Sequence, residues 1–192
     1  MDSIIKAVYN YDLTGVNVQY LTRAKSKILL YDTLTTNDDI IERIGPTNQT
    51  LLLFPTQAGS PDGHWISLIY RQSTRTIEHW DSYGLSPQAE IQYSTSRHVK
   101  ADALQFLYRK AESQGYKVIW NPYRFQVMAN GINVCGRMAS MRNRFHYLTI
   151  EQMKKLWLNQ KESPDYLVTI LTFMSLNEEK AEENLVLSMM GK

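Results

Sequence analysis

Gly63-His64-Trp65-Ile66-Ser67-Leu68-Ile69-Tyr70, then Gln72-Ser73-Thr74-Arg75, then Thr76-Ile77-Glu78-His79-Trp80-Asp81 reads as two strands joined by a polar turn. The arms are rich in β-branched and aromatic residues, and the turn between them is short and hydrophilic. An antiparallel hairpin is the expected product. Its geometry brings the start of the first arm beside the end of the second, so His64 and Asp81 should lie at the same end. An imidazole and a carboxylate placed that way suit a hydrogen-bonded pair.

Working outward, Leu51-Leu52-Leu53-Phe54-Pro55 reads as a buried strand and Gly59-Ser60-Pro61-Asp62-Gly63 as the loop that delivers His64 onto the hairpin. Leu104, Leu107 and Tyr108 give residues 101 to 114 a helical period, with Gly115 placed to end it. Tyr116 to Trp120 reads as a further strand, leading through Asn121-Pro122 towards Gln126 and Cys135. The stretch from Met138 to Phe145 has helical composition, which puts Cys135 at or near a helix N-terminus. Two more helices are signalled by caps: Thr149 with Gln152 forms a capping box, and Ser163 precedes Pro164. Leu156, Trp157, Tyr166, Leu167, Ile170, Leu171, Phe173 and Met174 are expected to pack these helices on the core. The fold class expected is α+β, a central mixed, mostly antiparallel sheet flanked by helices with the nucleophile at a helix N-terminus.

At 192 residues the chain fits one domain, 1–192. Hydrophobic content of 43% and charged content of 21% match globular proteins, which argues against disorder. No apolar run reaches the ~20 residues of a membrane span, and the start Met1-Asp2-Ser3-Ile4-Ile5-Lys6 lacks a signal-peptide pattern, so an intracellular setting is expected. One cysteine excludes an intramolecular disulfide, and four histidines show no zinc spacing, so neither metal nor cofactor is expected. The net charge of +2 is too small to argue for nucleic acid as the main partner. Arg137, Arg142, Arg144 and His146 around the post-cysteine helix read as a solvated basic face.

A thiol needs a base and a positive setting to act as a nucleophile at neutral pH. His64 is the candidate base, Asp81 the group that orients it and stabilises its imidazolium, and Cys135 the nucleophile. The positive end of a helix dipole at Cys135 would favour the thiolate. His79, His98 and His146 lack the Gly-His-Trp setting. The chain order His, Asp, Cys differs from the papain order of Cys, His, Asn, so another fold must supply the geometry.

Gly63-His64-Trp65, Asp81, Gln126 and Cys135-Gly136 in that order resemble the adenain and ubiquitin-like-protein protease family, the clan CE cysteine proteases. The match covers about residues 50 to 145. Cys135-Gly136-Arg137 and Trp80-Asp81-Ser82-Tyr83-Gly84 are most like the capsid-maturation proteases of virophages and polinton-type viruses. The resemblance implies an adenain-like fold and a Gln donating to the oxyanion with backbone N–H groups near the cysteine. Gln126 fits that role, although its gap to Cys135 is longer than the family's, and Asn130 or Asn133 are the alternatives. Trp65, implied to wall the substrate groove, and Gly136 are the expected substrate-binding residues.

The activity so implied is endopeptidase cleavage after small residues such as glycine in viral capsid or core precursor proteins, during virion maturation. A monomer in the virion and in the cytoplasm of the infected host cell is expected, with no membrane partner, and DNA or a peptide is open as an activator. Removal of ubiquitin-like modifiers is the alternative on the same fold, and acetyl transfer a further one. A catalytically silent virion structural or DNA-binding protein is the alternative of another class.

Overall fold

In a computed structural model of the chain, which describes residues 13–23, 25–55, 63–89, 103–129 and 132–173, the hairpin forms the centre of a five-stranded sheet. Its arms are β3 (Gly63–Arg71) and β4 (Thr76–Trp80), paired antiparallel with Ser67 opposite Trp80 and Arg71 opposite Thr76. A single 3-10 turn, Gln72–Thr74, joins them, and Arg75 closes it in the left-handed region at φ 49°. β2 (Gln49–Pro55) flanks β3 antiparallel, with Phe54 opposite His64 and Pro55 opposite Gly63.

The edge strands are the parallel ones. β1 (Lys27–Leu30) runs parallel to β2, and β5 (Lys117–Trp120) runs parallel to β4. Two of the four pairings are therefore parallel, but the antiparallel ones, β2 with β3 and β3 with β4, are longer, so the sheet is mixed and mostly antiparallel as expected. The connections explain it. β1 reaches β2 by way of a short helix, Ile40–Ile44, and β4 reaches β5 by way of a long one, Ala103–Ser113; each crossover returns the chain in its original direction.

In chain order the helices are α1 (Gly15–Leu21), α2 (Ile40–Ile44), α3 (Ala103–Ser113), α4 (Cys135–Arg144), α5 (Ile150–Leu158) and α6, residues 164–173. Strand alternation sorts the apolar side chains onto two sides of the sheet. On one side Leu52, Phe54, Ile66, Leu68 and Ile77 meet Leu104, Leu107 and Tyr108 of α3. On the other, Leu51, Leu53, Trp65 and Trp80 meet Val18 of α1, Met138 and Met141 of α4 and Trp157 of α5. Thr149 and Gln152 form the capping box of α5, and the Ser163 hydroxyl accepts from the Tyr166 N–H at the start of α6.

The basic face expected on α4 is not solvated. Arg142 is fully buried, its Nε 2.7 Å from Glu78 Oε1 and its terminal nitrogens on the carbonyls of Phe145 and Leu148. Arg71 reaches the other Glu78 oxygen at 2.9 Å. Arg137 is also buried and donates to the Thr172 hydroxyl at 2.7 Å. Asn143 donates to Ser26 and accepts from Ser67 of β3. Buried charge needs a partner, and for Arg142 the hairpin supplies it in Glu78. Of the apolar residues assigned to the core around α5 and α6, Trp157 is buried, whereas Leu156, Leu171 and Phe173 are exposed; Met174, the loop at 59–62 and the start of the helix at 101–102 lie outside the described residues.

Candidate active site

The strand ends bring the first two side chains together. His64 is the second residue of β3 and Asp81 directly follows the last residue of β4, so the antiparallel pairing sets both at the same end of the hairpin. His64 Nε2 lies 2.6 Å from Asp81 Oδ1, with Asp81 fully buried and the His64 side chain 22% exposed. The other carboxylate oxygen accepts the Leu85 N–H at 2.9 Å. Below it, buried Asn121 donates from its amide to the carbonyls of both Asp81 and Tyr123, tying the end of β4 to the end of β5.

Gly63 is required by the strand beside it. A Cβ there would sit 1.9 Å from the Phe54 carbonyl oxygen, so any side chain would push β3 off β2 just before His64.

Cys135 is the first residue of α4, half-buried, and lies within hydrogen-bonding reach of His64. Since Asp81 occupies Nε2, Nδ1 is the ring nitrogen left for the sulfur. Val134 at its N-cap makes no side-chain cap bond. Its first intrahelical bond is Met138 N–H to the Val134 carbonyl, so the N–H groups of Cys135, Gly136 and Arg137 come before the ladder begins. Backbone donors at a helix start suit an anion. Gly136 lets this end approach the sheet: a Cβ would meet Trp65 Cδ1 at 3.1 Å and Val18 at 3.3 Å. Trp65 itself is only 5% exposed, with its indole in the core beneath Gly136.

The electrostatics follow from this packing. Burial pushes His64 down, but hydrogen bonds to Asp81 and Cys135 and the charges of both outweigh it and raise its pKa well above the ordinary value. For Asp81, burial pushes up, and the His64 hydrogen bond and charge, with the Leu85 and Tyr83 N–H groups, hold the carboxyl below its usual range. The imidazole therefore keeps its proton beside the sulfur, the setting in which a cysteine acts as a thiolate nucleophile.

Gln126 is buried and fully engaged. Its oxygen accepts from Ser82 Oγ at 2.7 Å, and its amide nitrogen donates to the Tyr83 hydroxyl at 3.1 Å and the Ile132 carbonyl at 3.2 Å. The Phe125 and Gln126 N–H groups both bond the Ser82 carbonyl. Asn133 is exposed, and Asn130 lies outside the described residues. The Tyr83 ring stacks on His64 with centroids 5.0 Å apart and planes 25° from parallel. Tyr83 and Asn121 were not singled out from the sequence, although Tyr83 stands two residues past the Asp and Asn121 at the end of the last strand.

The structure thus brings His64, Asp81, Cys135, Trp65 and Gly136 to one end of the sheet and joins Gln126 to them through Tyr83. No family model matches the chain. It is 30% identical over 166 residues to the uncharacterized protein V9 of Sputnik virophage, covering 83% of this chain and 93% of that protein. Solved structures similar to it include the C-terminal Ulp1 protease domain in complex with Smt3, the yeast orthologue of SUMO, at 12% identity, TM-score 0.39, and coverage of 84% and 78% of the two chains. Another is the SUMO protease Ulp1 with its catalytic cysteine oxidised to a sulfinic acid, at 12% identity, TM-score 0.33, and coverage of 92% and 78%.

Proposed function

This chain belongs to the family of the Sputnik virophage protein V9, and we propose that it is a cysteine endopeptidase that cleaves viral capsid or core precursor proteins after small residues during virion maturation. The observation that carries the reading is the position of His64, bonded to buried Asp81 on one side and in reach of Cys135 at the start of α4 on the other.

The Cys135 thiolate attacks the scissile carbonyl, and His64 gives its Nδ1 proton to the leaving amine. Asp81 stabilises the imidazolium and holds the ring by Nε2 throughout. The backbone N–H groups of Cys135 and Gly136 stabilise the tetrahedral oxyanion. Water, deprotonated by His64, then attacks the thioester and releases the acid and the free thiol. No cofactor enters these steps. The virophage relative agrees with a viral setting, and action in the virion and the infected cell's cytoplasm is part of the proposal.

The experiment offers the purified protein two substrates: the precursor capsid proteins of the virus that encodes it, and conjugates of ubiquitin-like modifiers. New N-termini in the capsid precursors support maturation. Release of modifiers alone supports the deconjugating reading, and processing of neither overturns both.

A further inference from the structure

Gln126 was the expected side-chain donor to the oxyanion, yet its amide nitrogen has two hydrogens and two acceptors, the Tyr83 hydroxyl and the Ile132 carbonyl. Its oxygen is held by Ser82. With 1% exposure and every polar atom committed, the side chain has the properties of a strut. What it braces is the phenol of Tyr83. That hydroxyl accepts from Gln126, which leaves its own proton to be donated. The ring that carries it lies flat against His64 at 5.0 Å, so the hydroxyl is fixed beside the imidazole and within the electrostatic reach of Cys135.

We propose that Tyr83 is the side-chain oxyanion donor of this site, its hydroxyl oriented by Gln126 and donating a hydrogen bond to the tetrahedral intermediate formed at Cys135. The inference rests on the cysteine protease reading above. Two features of the surroundings agree with it. Burial raises the phenol's pKa, and the charges of Cys135, Asp81 and Asp165 raise it further, so the group remains a neutral O–H donor at any working pH. The chain Ser82 to Gln126 to Tyr83 also polarises in one direction, each member accepting from the one before, which strengthens the last donor.

Tyr83→Phe is the decisive variant because it keeps the ring, its stacking on His64 and its volume while deleting only the hydroxyl. Peptide hydrolysis is to be measured with wild type, Tyr83→Phe, Gln126→Met and the double variant, alongside alkylation of Cys135 by iodoacetamide across pH. The expected result for Tyr83→Phe is a fall in kcat of ~10²–10³ with KM nearly unchanged, the loss typical of one oxyanion donor. Its alkylation profile should match wild type, since the His64 and Cys135 pair is untouched. Gln126→Met should lose less, and the double variant no more than Tyr83→Phe alone, because the two act through one hydroxyl.

Full activity in Tyr83→Phe, with the large loss falling on Gln126→Met, would overturn the assignment and return the role to Gln126 while leaving the protease reading intact. Absence of Cys135-dependent hydrolysis in wild type would remove both.

Discussion

His64 Nε2 and Asp81 Oδ1 are 2.6 Å apart at the open end of the central hairpin, and the carboxylate in that bond is fully buried. The bond raises His64 and lowers Asp81 together. A histidine with a raised pKa contributes stability below its unfolded value that is lost as pH rises through the folded value. An aspartate with a lowered one contributes above its unfolded value and loses it as pH falls through the folded value. The pair is therefore fully supported between those limits, and the alkaline limb of activity reports the imidazolium. Asp81→Asn should move the alkaline limb of kcat/KM to lower pH and lower kcat. The check is a pH-rate profile beside an NMR titration of the His64 ring.

Glu78 holds α4 from the end opposite Cys135. Its two oxygens take Arg142 of α4 and Arg71 of β3, with Glu78 and Arg142 both buried. Glu78→Ala leaves a buried guanidinium uncompensated and should destabilise by about 3–5 kcal/mol in urea unfolding. Replacing Glu78 and Arg142 together with Met should destabilise far less, since the fully buried guanidinium goes with its carboxylate and Arg71, partly exposed, keeps the Leu148 carbonyl.

Gly63 sits where a Cβ would come within 1.9 Å of the Phe54 carbonyl oxygen. Gly63→Ala must separate β3 from β2 or shift His64, and overpacking of this kind costs about 1–3 kcal/mol. Activity should fall by more than the lost stability explains, because the residue displaced is the proposed base. Unfolding curves and kcat for the same variant separate the two effects.

Asp165 is a buried carboxylate that accepts the Val127 N–H at 3.1 Å with one oxygen, while its Oδ1 has no partner among the described residues. Burial pushes its pKa up to about 6 against the Val127 bond. A raised carboxyl weakens the folded state progressively as pH climbs above the unfolded aspartate value, and fully above about 6, so its ionisation at pH 7.5 opposes folding by at most about 3 kcal/mol. Asp165→Asn keeps an acceptor for Val127 and removes the charge. Calorimetry should show a higher Tm than wild type at pH 7.5 and a gain that vanishes near pH 4.

The hairpin and the pairing of His64 with Asp81 were legible in the sequence because both depend on local signals: alternation, a polar turn and the two-residue strand period. The α4 start at Cys135 and the capping box at Thr149 were legible for the same reason. Of the edge strands, Lys117–Trp120 was legible and Lys27–Leu30 was not, and nothing in either states which neighbour it will take or in which direction. Arg142 looked solvated because its partner Glu78 is 64 residues away in the chain. Helical spacing alone does not reveal a buried charge whose counterion comes from the sheet. Tyr83 stands in the family-like segment Trp80-Asp81-Ser82-Tyr83-Gly84 with no role of its own, and only the fold shows that its ring stacks on His64 and its hydroxyl receives Gln126.

The most direct measurement incubates wild type and Cys135→Ala with a diverse peptide library rich in Gly-X-Gly and Gly-Gly sites and reads the new termini by mass spectrometry. The account predicts cuts after small residues with wild type and none with Cys135→Ala. Equal cleavage by both proteins, or no cleavage by wild type, would contradict it.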